Sequence, residues 1–191
     1  NTKGNTLRDA LHLAMENQKS RREGGVGGYG VVSLHRNENL SQENIFEQLM
    51  QEIAEIAPIV PLNFVLHPAT RAKLIRTGWY EKLSRIDGLQ LVPRMDYPDF
   101  VRLLLGASFL MTDGGSNQEE AAMMGLPTLL LRRATERGDG LGDVVQLSGL
   151  VSGSMIEFAR TYAGKMWSLR PLNENSPSKL IVEELKKNAR S

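Results

Sequence analysis

Short apolar runs alternate with amphipathic stretches along the chain. Tyr29 to Leu34 (YGVVSL) reads as a buried strand. Leu62 to Leu66, Gly88 to Val92, Ser108 to Thr112 and Pro127 to Leu131 read the same way, and Val144 to Val151 offers a last strand. Between them the apolar period becomes helical. Ile45, Phe46, Leu49, Met50, Ile53 and Ile56 share one helical face, with Ser41 as the expected N-cap and Pro58 and Pro61 past the end. Leu7, Ala10, Leu11 and Ala14 mark an opening helix. Further helices are predicted near Ala69 to Arg76, Tyr97 to Leu105, Ser116 to Met124 and within Ser152 to Met166. A closing helix starts at Pro177, after a break over residues 173–176. Residues 17–28 are polar, basic and glycine-rich, and are expected to form a loop.

This alternation predicts one α/β domain over residues 1–191 with a mainly parallel sheet. Right-handed crossovers in such a sheet gather ligands at the carboxyl ends of the strands. Composition narrows the chemistry. The chain has 191 residues, enough for a large core without staples. Its 23 Lys plus Arg balance 22 Asp plus Glu, which argues against a polybasic, nucleic-acid-binding surface. Cysteine is absent, so disulfides, thiolate metal sites and cysteine nucleophiles are excluded. With three histidines, a metal site would have to lean on carboxylates. No apolar run is long enough for a membrane span and the opening residues do not read as a signal peptide, so a cytoplasmic protein is expected.

Three polar clusters follow predicted strands. His35-Arg36-Asn37-Glu38-Asn39 is the first, Thr112 to Glu120 (TDGGSNQEE) the second, and Arg132 to Gly138 the third. In the second, Gly114 and Gly115 allow a tight turn and close approach of a ligand to the backbone. Ser116 and Glu119 have capping-box spacing, so a helix is expected to start there. Its free N–H groups suit a phosphate, and a carboxylate in its first turn, Glu119 or Glu120, could accept hydrogen bonds from vicinal hydroxyls of a ribose. The bland alternative is capping alone, with both glutamates answering the helix dipole. Arg36 and Arg137 are candidate phosphate clamps, and His35 a candidate donor or acid–base group; His35 also reads as a turn histidine bonded to backbone, and Arg137 as a solvated surface arginine. His67-Pro68 reads as a strand ending with a mainly structural histidine. Asp113 lacks the companions a phosphate acceptor needs.

Together the clusters resemble the non-hydrolysing UDP-N-acetylglucosamine 2-epimerases. His35, Arg36, Glu38 and Asn39 match an H-R-x-E-N stretch, and His67-Pro68 an H-P dipeptide. Asp96, Tyr97, Phe100 and Val101 match D-Y-x-x-F-V. TDGGSNQEEA stands where the family has T-D-S-G-G-x-Q-E-E-A, and Gly125, Pro127, Arg132, Thr135, Glu136 and Arg137 match the G-x-P and R-x-x-T-E-R motifs. Three departures mark a divergent member, one being Glu136-Arg137-Gly138-Asp139 where the family has E-R-P-E. Gly114 replaces the motif serine, and Ser116 replaces its second glycine.

The resemblance implies a Rossmann-like, three-layer domain forming the carboxyl-terminal half of a GT-B fold. The amino-terminal half would then be missing, and an intact protein would be a homodimer. The implied reaction inverts C2 of the sugar of UDP-N-acetylglucosamine by eliminating UDP and adding it back, supplying precursors for surface and capsular polysaccharides. It assigns His35, Arg36, Glu38, Gly114, Gly115, Ser116 and Arg137 to the UDP-binding site, with Phe100 on the nucleotide and Glu120 on the ribose. His35 is the one catalytic candidate. No cofactor or metal is implied, and the chain alone is expected to be inactive. A GT-B glycosyltransferase domain, a non-enzymatic nucleotide-sugar module and a hydrolysing epimerase are the rival readings.

Overall fold

The computed structural model describes residues 5–16, 23–24, 27–171 and 176–188. Six parallel strands form the main sheet: β2 (Tyr29–Leu34), β3 (Leu62–Leu66), β4 (Leu89–Pro93), β5 (Ala107–Thr112), β6 (Thr128–Leu130) and β7 (Val145–Leu147). Their order is β4-β3-β2-β5-β6-β7. This is the doubly wound Rossmann order, and it reverses direction between β2 and β5. A separate antiparallel pair joins β1 (Glu23–Gly24) to β8 (Trp167–Ser168).

Strand alternation splits the core in two. Val32, Leu34, Phe64, Leu66, Phe109 and Met111 face a layer that contains α3 (Glu43–Ile56), α4 (Pro68–Thr77), α5 (Trp79–Leu83) and α8 (Ser154–Tyr162). Val31, Val65 and Leu110 face α1 (Leu7–Glu16), α6 (Tyr97–Gly106) and α7 (Gly115–Met124). The three layers therefore follow from the predicted apolar runs. Short α2 (Asn37–Ser41) precedes α3, and α9 (Pro177–Asn188) closes the described chain. No described helix is long and apolar enough to cross a membrane.

Local chemistry explains several boundaries. Asp96 caps α6 by accepting the Asp99 N–H at 3.0 Å. Pro68 opens α4, where its missing N–H costs nothing, and Gly78 ends that helix in the left-handed region at φ 77°. Ser41 is not the N-cap of α3: it ends α2, and Gln42 takes the cap position. The two-helix entry arises because Arg36 begins a first turn that the sequence pattern alone does not reveal. Helix α5, with buried Trp79 and Leu83, was not foreseen; its five residues are too short for a periodic signal. Residues 17–22 and 25–26 of the predicted loop, and 173–175 of the predicted break, lie outside the described residues.

Candidate functional site

The strand order assembles the site. Leu34 pairs in register with Leu66, and Leu66 with Pro93. The next residues, His35, His67 and Arg94, therefore stand side by side along the carboxyl edge of the sheet. Ser33 pairs with Thr112 on the other flank, which brings Asp113 beside them at the direction reversal.

Asp113 is fully buried and ties the two flanks together. Its carboxylate accepts the backbone N–H groups of His35 at 3.0 Å and Arg36 at 3.0 Å, and Nδ2 of Asn39 at 3.1 Å. His35 Nδ1 lies 3.3 Å from the same carboxylate. These are the hydrogen bonds of a structural clasp, not of a free phosphate acceptor. The same Asn39 amide also donates to the Leu131 carbonyl at 2.9 Å. The His35 and His67 rings stack with centroids 4.6 Å apart. Burial, then the neighbouring His35 and Arg94, hold the His67 imidazole below its usual pKa. His67 is thus part of the site, although its sequence context reads as structural.

Beside this row lies a cavity of about 200 Å³, walled by Val65, His67, Arg94, Met95, Tyr97, Phe100, Asn117 and Glu120. Phe100 supplies an aromatic face, and Glu120, only 4% exposed, a buried carboxylate. Burial pushes the Glu120 pKa up to about 7. The Tyr97 hydroxyl is also buried and approaches Glu120 outside good hydrogen-bond geometry. Burial and that carboxylate hold the phenol above its usual range.

Helix α7 starts at Gly115, not at Ser116, and Gly114 is its N-cap without a side-chain cap. The expected capping box does not form. Ser116 lies inside the first turn, and Glu119 turns away to accept from Asn5 Nδ2 at 2.7 Å and to pair with Arg137. Uncapped, the first turn presents its N–H groups and the positive end of its dipole. Arg137 lies across that turn: a Cβ built on Gly115 would stand 2.7 Å from Arg137 Nε. Only glycine allows this approach without displacing the guanidinium.

Gln118, wholly buried, holds the third cluster against α7. Its Nε2 donates to the carbonyls of Arg137 and Asp139 at 3.0 Å each, and its Oε1 accepts from Thr135 Oγ1 at 3.1 Å. Gln118→Ala is expected to cost about 1–3 kcal/mol in urea unfolding, because two carbonyls and a hydroxyl lose their partner. Proteolysis should also quicken between Arg132 and Gly140. A loss under about 0.5 kcal/mol, within ordinary surface-mutation scatter, would show that the loop is held otherwise.

The structure separates two of the residues assigned to UDP. Arg36 and Glu38 bind each other bidentately, at 2.8 and 3.2 Å. That pairing holds the Glu38 carboxyl below its usual pKa. Both line a second depression of about 240 Å³ with Arg132 and Arg133, not the Glu120 cavity. His35, Gly114, Gly115, Ser116 and Arg137 do gather at the α7 start, and Phe100 and Glu120 at the cavity beside it. Among the described residues, no group of three or more His, Asp or Glu could hold a metal ion.

The geometry has counterparts in known proteins. The profile of a family described as UDP-N-acetylglucosamine 2-epimerase matches residues 2–157. The UDP-N-acetylglucosamine 2-epimerase of Methanococcus maripaludis is 31% identical over 199 residues, which cover 94% of this chain and 52% of that protein. That of Bacillus subtilis is 27% identical over 195 residues, 95% of this chain and 50% of its own length. The chain thus spans about half the length of these relatives. The crystal structure of the Methanocaldococcus jannaschii UDP-GlcNAc 2-epimerase in complex with UDP-GlcNAc and UDP matches with a TM-score of 0.81 at 25% identity, over 96% of this chain and 54% of that one. The Neisseria meningitidis enzyme bound to UDP-GlcNAc matches with a TM-score of 0.73 at 26% identity, over 96% and 54%. Such epimerases have the GT-B fold, and the six-stranded sheet here corresponds to one half of it. Sheet order, the polar row at its carboxyl edge and the profile match agree: this chain belongs to the UDP-N-acetylglucosamine 2-epimerase family.

Proposed function

We propose that the chain is a single UDP-binding domain, the carboxyl-terminal half of an enzyme that interconverts UDP-N-acetylglucosamine and its C2 epimer. The observation that carries this reading is the joining of two sites. A cavity with an aromatic wall and a buried carboxylate opens beside an uncapped helix start crossed by Arg137. Phe100 would meet the base, and Glu120 would accept hydrogen bonds from both ribose hydroxyls. The α7 N–H groups and Arg137 would hold the diphosphate, and Ser116 would lie at its edge. His35, fixed by Asp113, would stand near the departing oxygen as the candidate catalytic residue.

The chemistry fits that division. Elimination breaks the bond from C1 of the sugar to the diphosphate oxygen as the C2 proton is removed, and re-addition returns the proton from the opposite face. Charge develops on the departing diphosphate, so preorganised donors and a cation lower the barrier there. The proton-transfer groups at the sugar would come from the other half of the protein. In this reading Arg36 and Glu38 act from the neighbouring depression. The intact protein would work as a cytoplasmic homodimer, supplying precursors for surface and capsular polysaccharides.

Titration with UDP and with uridine tests the reading. Arg137→Ala should weaken UDP about 10-fold, the worth of one hydrogen bond to a charged group, and leave uridine nearly unchanged. Equal weakening of both ligands would remove Arg137 from the diphosphate. No turnover is expected from this chain alone, and epimerised product from it would overturn the division of labour.

A further inference from the structure

Gly114 and Asn117 compete for one volume at the start of α7. A Cβ built on Gly114 would stand 2.5 Å from Asn117 Oδ1 and 2.8 Å from His35 Cε1. Real Cβ atoms do not come so close. The Asn117 carboxamide therefore fills the space that a side chain at 114 would need. Helix geometry explains how. Gly114 is the N-cap and Asn117 is the third helical residue, and side chains at that position reach back over the cap.

In a capping box that reach serves the N-cap N–H. Here the Gly114 N–H already donates to Thr112 Oγ1 at 3.0 Å. Among the described residues, nothing hydrogen-bonds the Asn117 carboxamide. It is half-buried and forms part of the cavity wall that also carries Glu120. Glu120 itself, 4% exposed and approached only by the Tyr97 hydroxyl, is a second polar group on the wall of that space. The site thus holds spare hydrogen-bonding capacity on both sides of the helix start.

The family motif has a serine where this chain has Gly114. We propose that Asn117 is a side-chain donor to a nucleoside diphosphate at this helix start, and that glycine at 114, where the family motif has a serine, is the change that makes room for it. An amide presents a donor by exchanging its Oδ1 and Nδ2 positions about χ2, without moving its volume. The inference rests on the UDP-binding reading above.

The test compares UDP with uridine for the unaltered chain, Asn117→Ala, Asn117→Leu, Gly114→Ser and the double variant Gly114→Ser/Asn117→Ala. Thermal melts check that each is folded. The unaltered chain should bind both ligands. Asn117→Ala and Asn117→Leu should each weaken UDP about 10-fold, as for a lost hydrogen bond to a charged group, and change uridine less than about twofold. Leucine keeps the volume, so its loss reports the donor and not a cavity. Gly114→Ser alone should weaken UDP by crowding Asn117. In the double variant the serine should bring UDP affinity back to within about threefold of the unaltered chain, since a hydroxyl donor then occupies the vacated space. UDP binding that survives in Asn117→Leu, or falls equally for UDP and uridine, overturns the proposal. A double variant no tighter than Asn117→Ala overturns the exchange of roles. An unaltered chain that binds neither ligand overturns the UDP-binding reading itself, and this inference with it.

Discussion

Asp113→Ala should destabilise the folded chain by about 3–5 kcal/mol, the largest loss expected from any single side chain at the site. The fully buried carboxylate serves two backbone N–H groups, the Asn39 amide and the His35 ring. Alanine leaves those donors without an acceptor at the junction of two strands. Each unsatisfied buried donor costs about 1–3 kcal/mol, and water entering from the crevice recovers part of the sum. Asn39 keeps its bond to the Leu131 carbonyl, so the damage centres on the His35-Arg36 turn. Asp113→Asn should fare little better, because its NH2 group would face N–H donors. Urea unfolding checks both variants: the midpoint should fall with the slope unchanged. A loss below about 1 kcal/mol would mean that the two strand ends are held by backbone pairing alone.

Glu120→Gln should raise stability and weaken nucleotide binding strongly at the same time. The folded-state pKa of Glu120 is about 7, above its ordinary 4.5, because burial disfavours the charge. The folded protein therefore binds more protons than the unfolded chain between those values. Its stability is greatest below pH 4.5, as far as this group is concerned, and falls as pH rises toward 7. At about 1.4 kcal/mol for each pH unit, the cost at pH 8 is roughly 2–4 kcal/mol. Glutamine keeps the shape without the ionisation, so the variant should be more stable at pH 8 by a similar amount and should lose this pH dependence.

Binding should move the other way. Two hydrogen bonds from ribose hydroxyls to a carboxylate are together worth roughly a 100-fold change in affinity or more. Glu120→Gln should lose most of that for UDP and uridine alike, which separates the ribose role from the phosphate roles of Arg137 and Asn117. Uridine carries no phosphate to titrate. Its affinity should rise from pH 6 to pH 8 in the unaltered chain and stay flat in the variant. A flat profile in the unaltered chain would mean that Glu120 does not accept the ribose. With the rising profile, the burial of this carboxylate is a stability cost retained for function.

Much of the site was legible one residue at a time. The run TDGGSNQEEA announces a tight turn into a helix, and the structure puts Gly114 and Gly115 at that turn. The aromatic Phe100 and the acidic Glu120, each singled out in the sequence, stand in the same cavity. Three features were not legible. His67 looked like a strand terminator, yet it stacks on His35 because Leu34 and Leu66 are register partners. Asp113 was read only as lacking the companions of a phosphate acceptor, and it is a clasp. Ser116 and Glu119 had capping-box spacing, but Arg137, 18 positions beyond Glu119, draws that carboxylate away.

The alternation of the main strands and longer helices, and which of their apolar residues face the core, could be read along the chain. These follow from periods of two and 3.6, which are properties of neighbours along the chain. Strand order, and with it the row of Arg94, His67, His35 and Asp113, was decided only by the tertiary structure. Sheet neighbours are chosen by which faces and edges bury together, and no local pattern carries that choice. The same holds for ionic partners. Arg36 is bound by Glu38, and Arg137 by Glu119 at the helix start, because charge pairing depends on distances that only the packed sheet and its crossing helices set.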